Sequence, residues 1–197
     1  MSKNRLTILD SGDFLRQVSE EVDFNDKSYL KDIKDLEDYC RNNIVFAMAS
    51  IQIGIPKRII YLKNTTSDMN KNYDSNYDEA KILINPIILK SKGHTRFLER
   101  CASCLDYVGI IDRPYSIIIE YYDIYEKKHI EEIKGFETTV LTHEYDHLNG
   151  ILHMDLADVF KQTLEETKEY RKIHPYEVIS ENCDYDKIRS KKLKRGV

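Results

Sequence analysis

The chain has 197 residues, of which 41% are hydrophobic and 32% are charged. This length and composition predict one globular domain with a substantial core and exclude a globally disordered chain. The 30 basic and 34 acidic side chains leave a net charge of −4. That balance argues against a general polyanion-binding surface, and we expect no DNA partner. The four scattered cysteines are too few for a disulfide scaffold and indicate reduced thiols.

No stretch of the chain approaches the roughly 18 consecutive apolar residues of a membrane-spanning helix. The apolar run at residues 6–9 is also too short for the core of a signal peptide. The sequence therefore predicts an intracellular, soluble protein with no membrane partner.

The first predicted element is an amphipathic helix over residues 28–42, where apolar side chains recur at helical spacing among charges. A strand is predicted at residues 58–62, and Gly54 and Pro56 before it indicate a turn. Residues 63–80 are mostly polar and predict a long exposed loop.

Further strands are predicted at three apolar runs, which are residues 82–84, 87–89 and 117–122. Residues 123–133 are predicted to form the second arm of a hairpin. The second half of the chain then becomes helical, with one helix from about Gly135 and a charged amphipathic helix over residues 157–172. These elements predict an α+β fold with mixed or antiparallel sheets packed around a central metal-binding helix.

The strongest chemical signal is the HExxH motif at residues 143–147. On a helix its two histidines lie one turn apart on the same side, so their imidazole nitrogens can bind one cation. Glu144 lies beside them, where it can handle the proton of a water molecule at that cation. Phe136 and Val140 share the face of the histidines, which argues against two exposed surface histidines.

Two histidines need at least one further protein ligand. A thiolate from Cys101 or Cys104 would complete a Cys/His/His set with an open fourth position, the layout of a catalytic metal site. A redox pair or half of a zinc ribbon is disfavoured by the extended flanks of this CxxC pair and the lack of a second one. The alternative third ligand is His153, because residues 143–153 also fit the metzincin protease pattern HExxHxxGxxH. The last methionine, Met154, lies too close to His153 for the Met-turn that metzincins need.

Three segments follow one another along the chain: residues 45–52 (Val-Phe-Ala-Met-Ala-Ser-Ile-Gln), residues 99–103 (Glu-Arg-Cys-Ala-Ser) and residues 142–150 (Thr-His-Glu-Tyr-Asp-His-Leu-Asn-Gly). In this order they resemble the GxGxAAxQ, EGCLS and HExDHL motifs of the peptide deformylases. These enzymes remove the N-formyl group from the initiator methionine of new polypeptides. The resemblance covers residues 6–160.

The resemblance implies a site for one divalent metal ion whose ligands are Cys101, His143 and His147. It implies that Glu144 takes a proton from water and later delivers it to the leaving amine. The side-chain amide of Gln52 and the backbone N–H of Ala102 would meet the developing oxyanion. The family typically uses Fe²⁺, and a thiolate ligand also suits Zn²⁺ or Ni²⁺.

In the family, the backbone around the first motif pairs with the peptide like an added strand, which here indicates Phe46 and Ala47. Our candidates for the apolar pocket of the methionine side chain are Phe97, Phe136 and Val140. Ordinary core packing is the alternative role of these three side chains.

The sequence departs from the family pattern at Thr142, where Gln is usual, and at three glycine positions, which hold Val45, Ala47 and Arg100. Val45 and Ala47 predict a regular extended strand or a narrower cleft. Arg100 adds a bulky cation beside the metal cysteine. Because the metal ligands and the base are all present, we expect hydrolysis to be retained. The alternative is a deformylase-like metal- or peptide-binding protein with weak or altered activity.

The expected partners are N-formylated nascent peptides, in a bacterial cytosol rather than an organelle. We expect a deformylase-like catalytic domain at residues 1–172 and a C-terminal extension at residues 173–197. Within that extension, residues 187–195 carry six positive charges and no acid. This basic tail is a candidate contact to ribosomal RNA, and a frayed, solvated tail is the alternative.

Overall fold

The computed structural model describes residues 3–63 and 80–188. In these ranges the longer helices are α1 (Ile8–Leu15), α2 (Tyr29–Asn42), α3 (Phe136–Leu148) and α4 (Leu164–Ile173). The strands are β1 (Ala47–Ala49), β2 (Ile59–Lys63), β3 (Ala80–Lys92), β4 (His94–Arg100), β5 (Tyr107–Arg113), β6 (Ser116–Tyr122), β7 (Lys128–Lys134), β8 (Val159–Lys161) and β9 (Glu177–Ser180).

The first sheet has the strand order β1-β2-β3-β6-β7, with antiparallel neighbours throughout. Its strand β2 confirms the strand predicted at residues 58–62, and it is buried on both faces. Ile59 and Tyr61 pack in one core cluster with α2, whereas Ile60 and Leu62 pack in another with α3. The sheet thus separates two apolar layers, each closed by a helix.

The second sheet has the order β8-β5-β4-β9 and is also antiparallel. Helix α3 packs against β1, β2 and β7 of the first sheet and against β5 of the second. The predicted α+β fold with sheets around a central helix is confirmed. Cys101 directly follows β4, so the second sheet brings it to α3.

Helix α2 and the hairpin of β6 and β7 confirm the predicted elements in those regions. The predicted strands 82–84 and 87–89 are parts of one longer strand, β3, whose register shifts between Ile84 and Ile87. The helix predicted over residues 157–172 is wrong in its first part. Val159–Lys161 is a strand because it pairs with β5, and the helix begins only after Thr163, whose hydroxyl accepts the Glu166 N–H.

The N-terminal segment is fastened beside the end of α3. Gly150 has a φ of 70°, and a Cβ there would lie 2.2 Å from the carbonyl oxygen of Arg16, so this close approach requires glycine. Next to it, the Ser19 N–H donates to the carbonyl of Leu148 at 2.9 Å. Leu15, the last residue of α1, packs with Cys101, Cys104 and Leu152 in a third, small apolar cluster.

Two predicted features fall wholly or partly outside the described residues. Of the predicted loop 63–80, residues 64–79 lie outside them, and β2 and β3 occupy the two ends. Most of the basic tail also lies outside, because the description ends at residue 188. Strand β9 pairs with β4, and the domain boundary after residue 172 stays a prediction. Among the described helices, none has the length and apolar character needed to cross a membrane.

Candidate active site

Cys101, His143 and His147 meet between β4 and α3. One ligand atom from each lies within 4.8 Å of the other two, and Cys101 Sγ is 3.2 Å from His147 Nε2. Cys101 and His147 are buried, and His143 is half-buried. One thiol and two imidazoles form a donor set that suits Zn²⁺, Fe²⁺ or Ni²⁺. These three residues therefore fit a single divalent metal ion.

Glu99, the penultimate residue of β4, orients His143. Its Oε2 lies 2.7 Å from Nδ1 of His143, which leaves Nε2 of that ring for a metal. Arg113 Nε and Nη2 donate to the same carboxylate at 2.7 and 2.9 Å. Burial alone would raise the pKa of Glu99, but the Arg113 charge and the His143 hydrogen bond hold that pKa well below its usual range. Glu99 is therefore an ionised carboxylate.

Arg113 also connects β5 to the histidine helix. Its Nη1 donates to the carboxylate of Asp146, and it lies 3.4 Å from the carbonyl oxygen of Thr142. Arg113, Glu99 and Asp146 are all buried. One guanidinium thus compensates two buried carboxylates, and one of these holds a candidate metal ligand.

Sequence reasoning assigned no role to Glu99, Arg113 or Asp146. Glu99 and Asp146 lie inside the recognised motifs, and Arg113 belongs to the nearby segment Ile-Asp-Arg-Pro. The available signal was chemical, because a buried histidine ligand needs a partner for its second ring nitrogen and a buried carboxylate needs a cation.

Glu144 lies on α3 between the two histidines and is buried. Its Oε2 accepts the backbone N–H of Ala49, at the end of β1, at 2.9 Å. Burial raises the pKa of the Glu144 carboxyl to about 7. The first sheet therefore fixes the position of a carboxylate beside the three candidate ligands.

Gln52 reaches the same place from the short 3₁₀ helix Ser50–Ile53 that follows β1. Its Oε1 accepts the Ala49 N–H at 3.0 Å, which fixes the orientation of the amide. Its Nε2 donates to Ser103 Oγ at 3.1 Å and lies 3.7 Å from Cys101 Sγ. The structure thus brings Gln52 beside Cys101, and exposed Ala102 follows that cysteine in the chain.

The residues that replace the motif glycines have identifiable environments. Val45 packs against the core cluster of α2, and it lies two residues before β1 begins. Ala47 is the first residue of β1 and packs against the core cluster of α3, so of the two positions only Ala47 lies in a strand. The guanidinium of Arg100 donates to the carbonyl of Gln162 at 2.6 Å and to Asp106 at 2.7 Å. These bonds anchor Arg100 to Gln162, directly after β8, and to Asp106, directly before β5.

The candidate pocket residues lie in two places. Phe97 and Phe136 contact each other edge to face at a centroid distance of 5.1 Å, and Tyr176 contacts both rings. Val140 packs against the core cluster of α3. Phe46 is half-buried, and its carbonyl accepts the Lys63 N–H at 2.7 Å. Tyr176 is an aromatic contact that sequence reasoning missed, since it lies in the segment between α4 and β9.

His153 does not complete a three-histidine set. Among the described residues, its ring nitrogen groups with the thiols of Cys101 and Cys104, whereas His143 and His147 group with Cys101 alone. The ligand arrangement of the metzincin pattern is therefore absent from this part of the chain.

A sequence profile of the family described as polypeptide deformylase matches residues 6–163. The chain belongs to the peptide deformylase family. A peptide deformylase of Rhizobium meliloti (strain 1021) is 32% identical over 151 residues, which cover 76% of this chain and 83% of that protein. The membership confirms the resemblance deduced from the three motifs.

Solved structures give the same result for the fold. A probable peptide deformylase from synechococcus phage S-SSM7 superposes with a TM-score of 0.64 at 34% identity, over 78% of this chain and 99% of that one. A peptide deformylase from Plasmodium falciparum superposes with a TM-score of 0.65 at 29% identity, over 86% and 91% of the two chains. The deformylase is thus a metal-dependent hydrolase that removes the N-formyl group from nascent polypeptides, and the metzincin alternative is rejected.

Proposed function

We propose that this deformylase cleaves the formyl C–N bond with Glu144 as its proton carrier and with Gln52 and the Ala102 N–H as its oxyanion donors. The observation that carries the proposal is that the backbone N–H of Ala49 donates to two side chains, Glu144 and Gln52. It holds the Glu144 carboxylate at 2.9 Å and the Gln52 amide oxygen at 3.0 Å, so one backbone group orients both side chains. Both then lie beside the Cys/His/His set.

Cys101, His143 and His147 would hold the metal ion of this family. We propose Fe²⁺ as the ion used in the cell, because it is the ion that the family typically uses. Zn²⁺ or Ni²⁺ would serve as substitutes, since a thiolate and two imidazoles suit all three ions. A divalent ion held there supplies a Lewis acid and makes water a competent nucleophile near neutral pH. The hydrogen bond that the His143 Nδ1–H donates to Glu99 keeps the His143 ring in its orientation for this role.

The proton path uses one carboxylate. Glu144 takes a proton from the attacking water as oxygen adds to the formyl carbon. The amide Nε2 of Gln52 and the backbone N–H of Ala102 donate to the oxygen on which negative charge develops. Glu144 then returns the proton to the amine nitrogen, the C–N bond breaks, and formate and a free methionine amine are released.

We propose that the peptide pairs with the outer edge of β1, at Ala47 and at Phe46, the residue that precedes the strand. Among the strands of residues 3–63 and 80–188, β1 ends its sheet and pairs with β2 alone, so its outer edge suits an added strand. The methionine side chain would pack against the apolar candidates Phe97, Phe136 and Val140. Phe136 and Val140 support this placement because they precede His143 by two turns and one turn of α3.

Two substitutions separate the catalytic and binding roles in one assay. The assay measures formate release from formyl-Met-Ala-Ser by anaerobically purified, Fe²⁺-loaded protein. We expect Gln52→Ala to lower kcat by about 10²–10³-fold, since one preorganised oxyanion donor is lost. We expect Phe136→Ala to raise KM about tenfold with little change in kcat. The lost apolar contact stabilises the bound substrate and the transition state equally, so its loss weakens binding without slowing the chemical step.

Gln17→Ala is the matched control for the amide, because Gln17 is exposed. It should retain the kinetic constants of the parent. If the metal-loaded parent released no formate, a catalytically silent peptide-binding protein would replace the proposed enzyme. A kcat of Gln52→Ala equal to that of the parent would remove Gln52 from the mechanism.

We further propose that the deformylase works in a bacterial cytosol and that its basic tail contacts the ribosome. The substrate is a nascent chain, and the six positive charges at residues 187–195 complement the phosphates of ribosomal RNA. We expect the full chain to co-sediment with ribosomes at low salt and a chain ending at residue 186 to stay in the supernatant. Equal sedimentation of the two would contradict the contact, and cell fractionation checks the compartment.

A further inference from the structure

A second group of side chains that could hold a metal ion adjoins the proposed catalytic site. It consists of Cys101, Cys104 and His153, and one ligand atom of each lies within 4.8 Å of the other two. Their exposed fractions are 2%, 0% and 1%, so all three are buried. Cys101 belongs to both groups, so the two groups together comprise five potential metal ligands and share one sulfur atom.

The His153 ring is oriented as a metal ligand would be. Its Nε2 lies 3.1 Å from the carbonyl oxygen of Tyr107, a distance at which an N–H donates to that oxygen. The remaining nitrogen, Nδ1, then carries a lone pair. It is buried and has no hydrogen-bond partner among the described residues. A backbone carbonyl behind one ring nitrogen, with the other nitrogen left free, is the usual arrangement of a metal-binding histidine.

Ordinary packing gives a weaker account of the same atoms. Cys104 lies in the small apolar cluster with Leu15 and Leu152, where a thiol packs readily. An imidazole nitrogen that stays buried without a partner, however, destabilises the folded protein, because it has lost its hydrogen bonds to water. A cation at this position would remove that cost, because both thiols and the imidazole would then be ligands.

We propose that Cys104 and His153 form a second metal position, with the Cys101 thiolate bridging it to the position at His143 and His147. Two thiolates and one imidazole favour a borderline or soft divalent cation, such as Zn²⁺, and leave a fourth coordination place open. The charge is partly balanced by the two thiolates and by the carboxylate of Glu99. This second position goes beyond the proposed catalytic mechanism, which uses only the His143 and His147 side of Cys101.

Because the two positions share the Cys101 sulfur, a cation at Cys104 and His153 would change the charge that Cys101 donates to the catalytic cation. A bridging thiolate donates its charge to two cations, so each receives less than from an unshared thiolate. Occupancy of the Cys104 and His153 side would therefore make the catalytic cation more electron-poor.

The test is the number of cations bound per chain, with Co²⁺ as the probe. Metal-free, fully reduced protein is titrated anaerobically with Co²⁺, desalted and analysed for metal. We expect two Co²⁺ per chain in the parent and one in the double variant Cys104→Ala/His153→Phe. His143→Ala/His147→Ala should also retain one Co²⁺, and that ion should keep the sulfur-to-cobalt charge-transfer absorption of two thiolates.

Cys183→Ala is the matched control, since Cys183 is a free, half-buried thiol outside both groups. It should bind two Co²⁺. A thiol titration of the unfolded protein must give all four cysteines reduced, so that a disulfide between Cys101 and Cys104 is excluded. One Co²⁺ per chain in the reduced parent would overturn the second position. If that protein still released formate, the proposed catalytic mechanism would stand.

Discussion

Replacing Glu144 with Ala is expected to lower deformylation of formyl-Met-Ala-Ser by a factor of about 10²–10⁴, while the bound metal stays at the level of the parent. The carboxylate is not a ligand in the proposed site, so its loss removes the proton carrier and leaves Cys101, His143 and His147 in place. Formate release and elemental analysis of the same preparation measure both quantities.

Glu144→Gln sharpens this experiment because it keeps the shape of the side chain. Its amide oxygen can still accept the Ala49 N–H that Glu144 accepts at 2.9 Å, so the end of β1 stays in place. We expect the same loss of activity in this variant. Glu132→Gln, at an exposed position of β7, is the matched control and should be fully active. Parent-like activity in either Glu144 variant would refute the assignment of the base.

Replacing Arg113 with Met is expected to lower the free energy of unfolding by about 3–5 kcal/mol, because the buried carboxylates of Glu99 and Asp146 would lose their cation. For a chain of this size the melting temperature should fall by about 6–20 °C. The His143 ring should also lose its fixed orientation, so metal retention during dialysis should decrease. Thermal unfolding and metal analysis provide the two measurements.

Arg41→Met is the control for the loss of an arginine. Arg41 pairs with Glu37 on the surface of α2, where its side chain is 49% exposed, so we expect a change of at most about 0.5 kcal/mol. Arg113→Lys keeps the charge but loses the two parallel bonds to Glu99, and its stability should lie between those of the parent and Arg113→Met. An Arg113→Met protein as stable as the parent would show that the two carboxylates need no compensation.

The fold was predictable where the hydrophobic pattern is local. Helix α2 follows from apolar residues at helical spacing, and β2 follows from a short apolar run bounded by a turn. Strand β8 was misread as helix because its strand character comes from pairing with β5, a partner about fifty residues earlier in the chain. Strands β4 and β5 contain charged residues at buried positions, such as Arg113 in β5. These charges interrupt the apolar run by which a buried strand is recognised in a sequence.

The positions of the candidate ligands and of the candidate base Glu144 beside one another were predictable, because these residues lie in short motifs with a defined chemistry. The contacts that hold them were not, since they join segments far apart in the chain. Ala49 reaches Glu144, and Glu99 reaches both Arg113 and His143. No spacing rule connects such positions, whereas the requirement that buried charges be paired points to them once burial is known.

The position of α3 between the two sheets also determines when, during synthesis and folding, the protein can bind its metal ion. Cys101 follows β4, and the two histidines come more than forty residues later, on a helix that packs against both sheets. A chain that has been synthesised only as far as β5 therefore has the thiol but no imidazole partners, and it can hold no catalytic ion. Metal uptake must come late in the synthesis and folding of this protein. A catalyst that processes unfinished polypeptides is thus itself inert while it is unfinished.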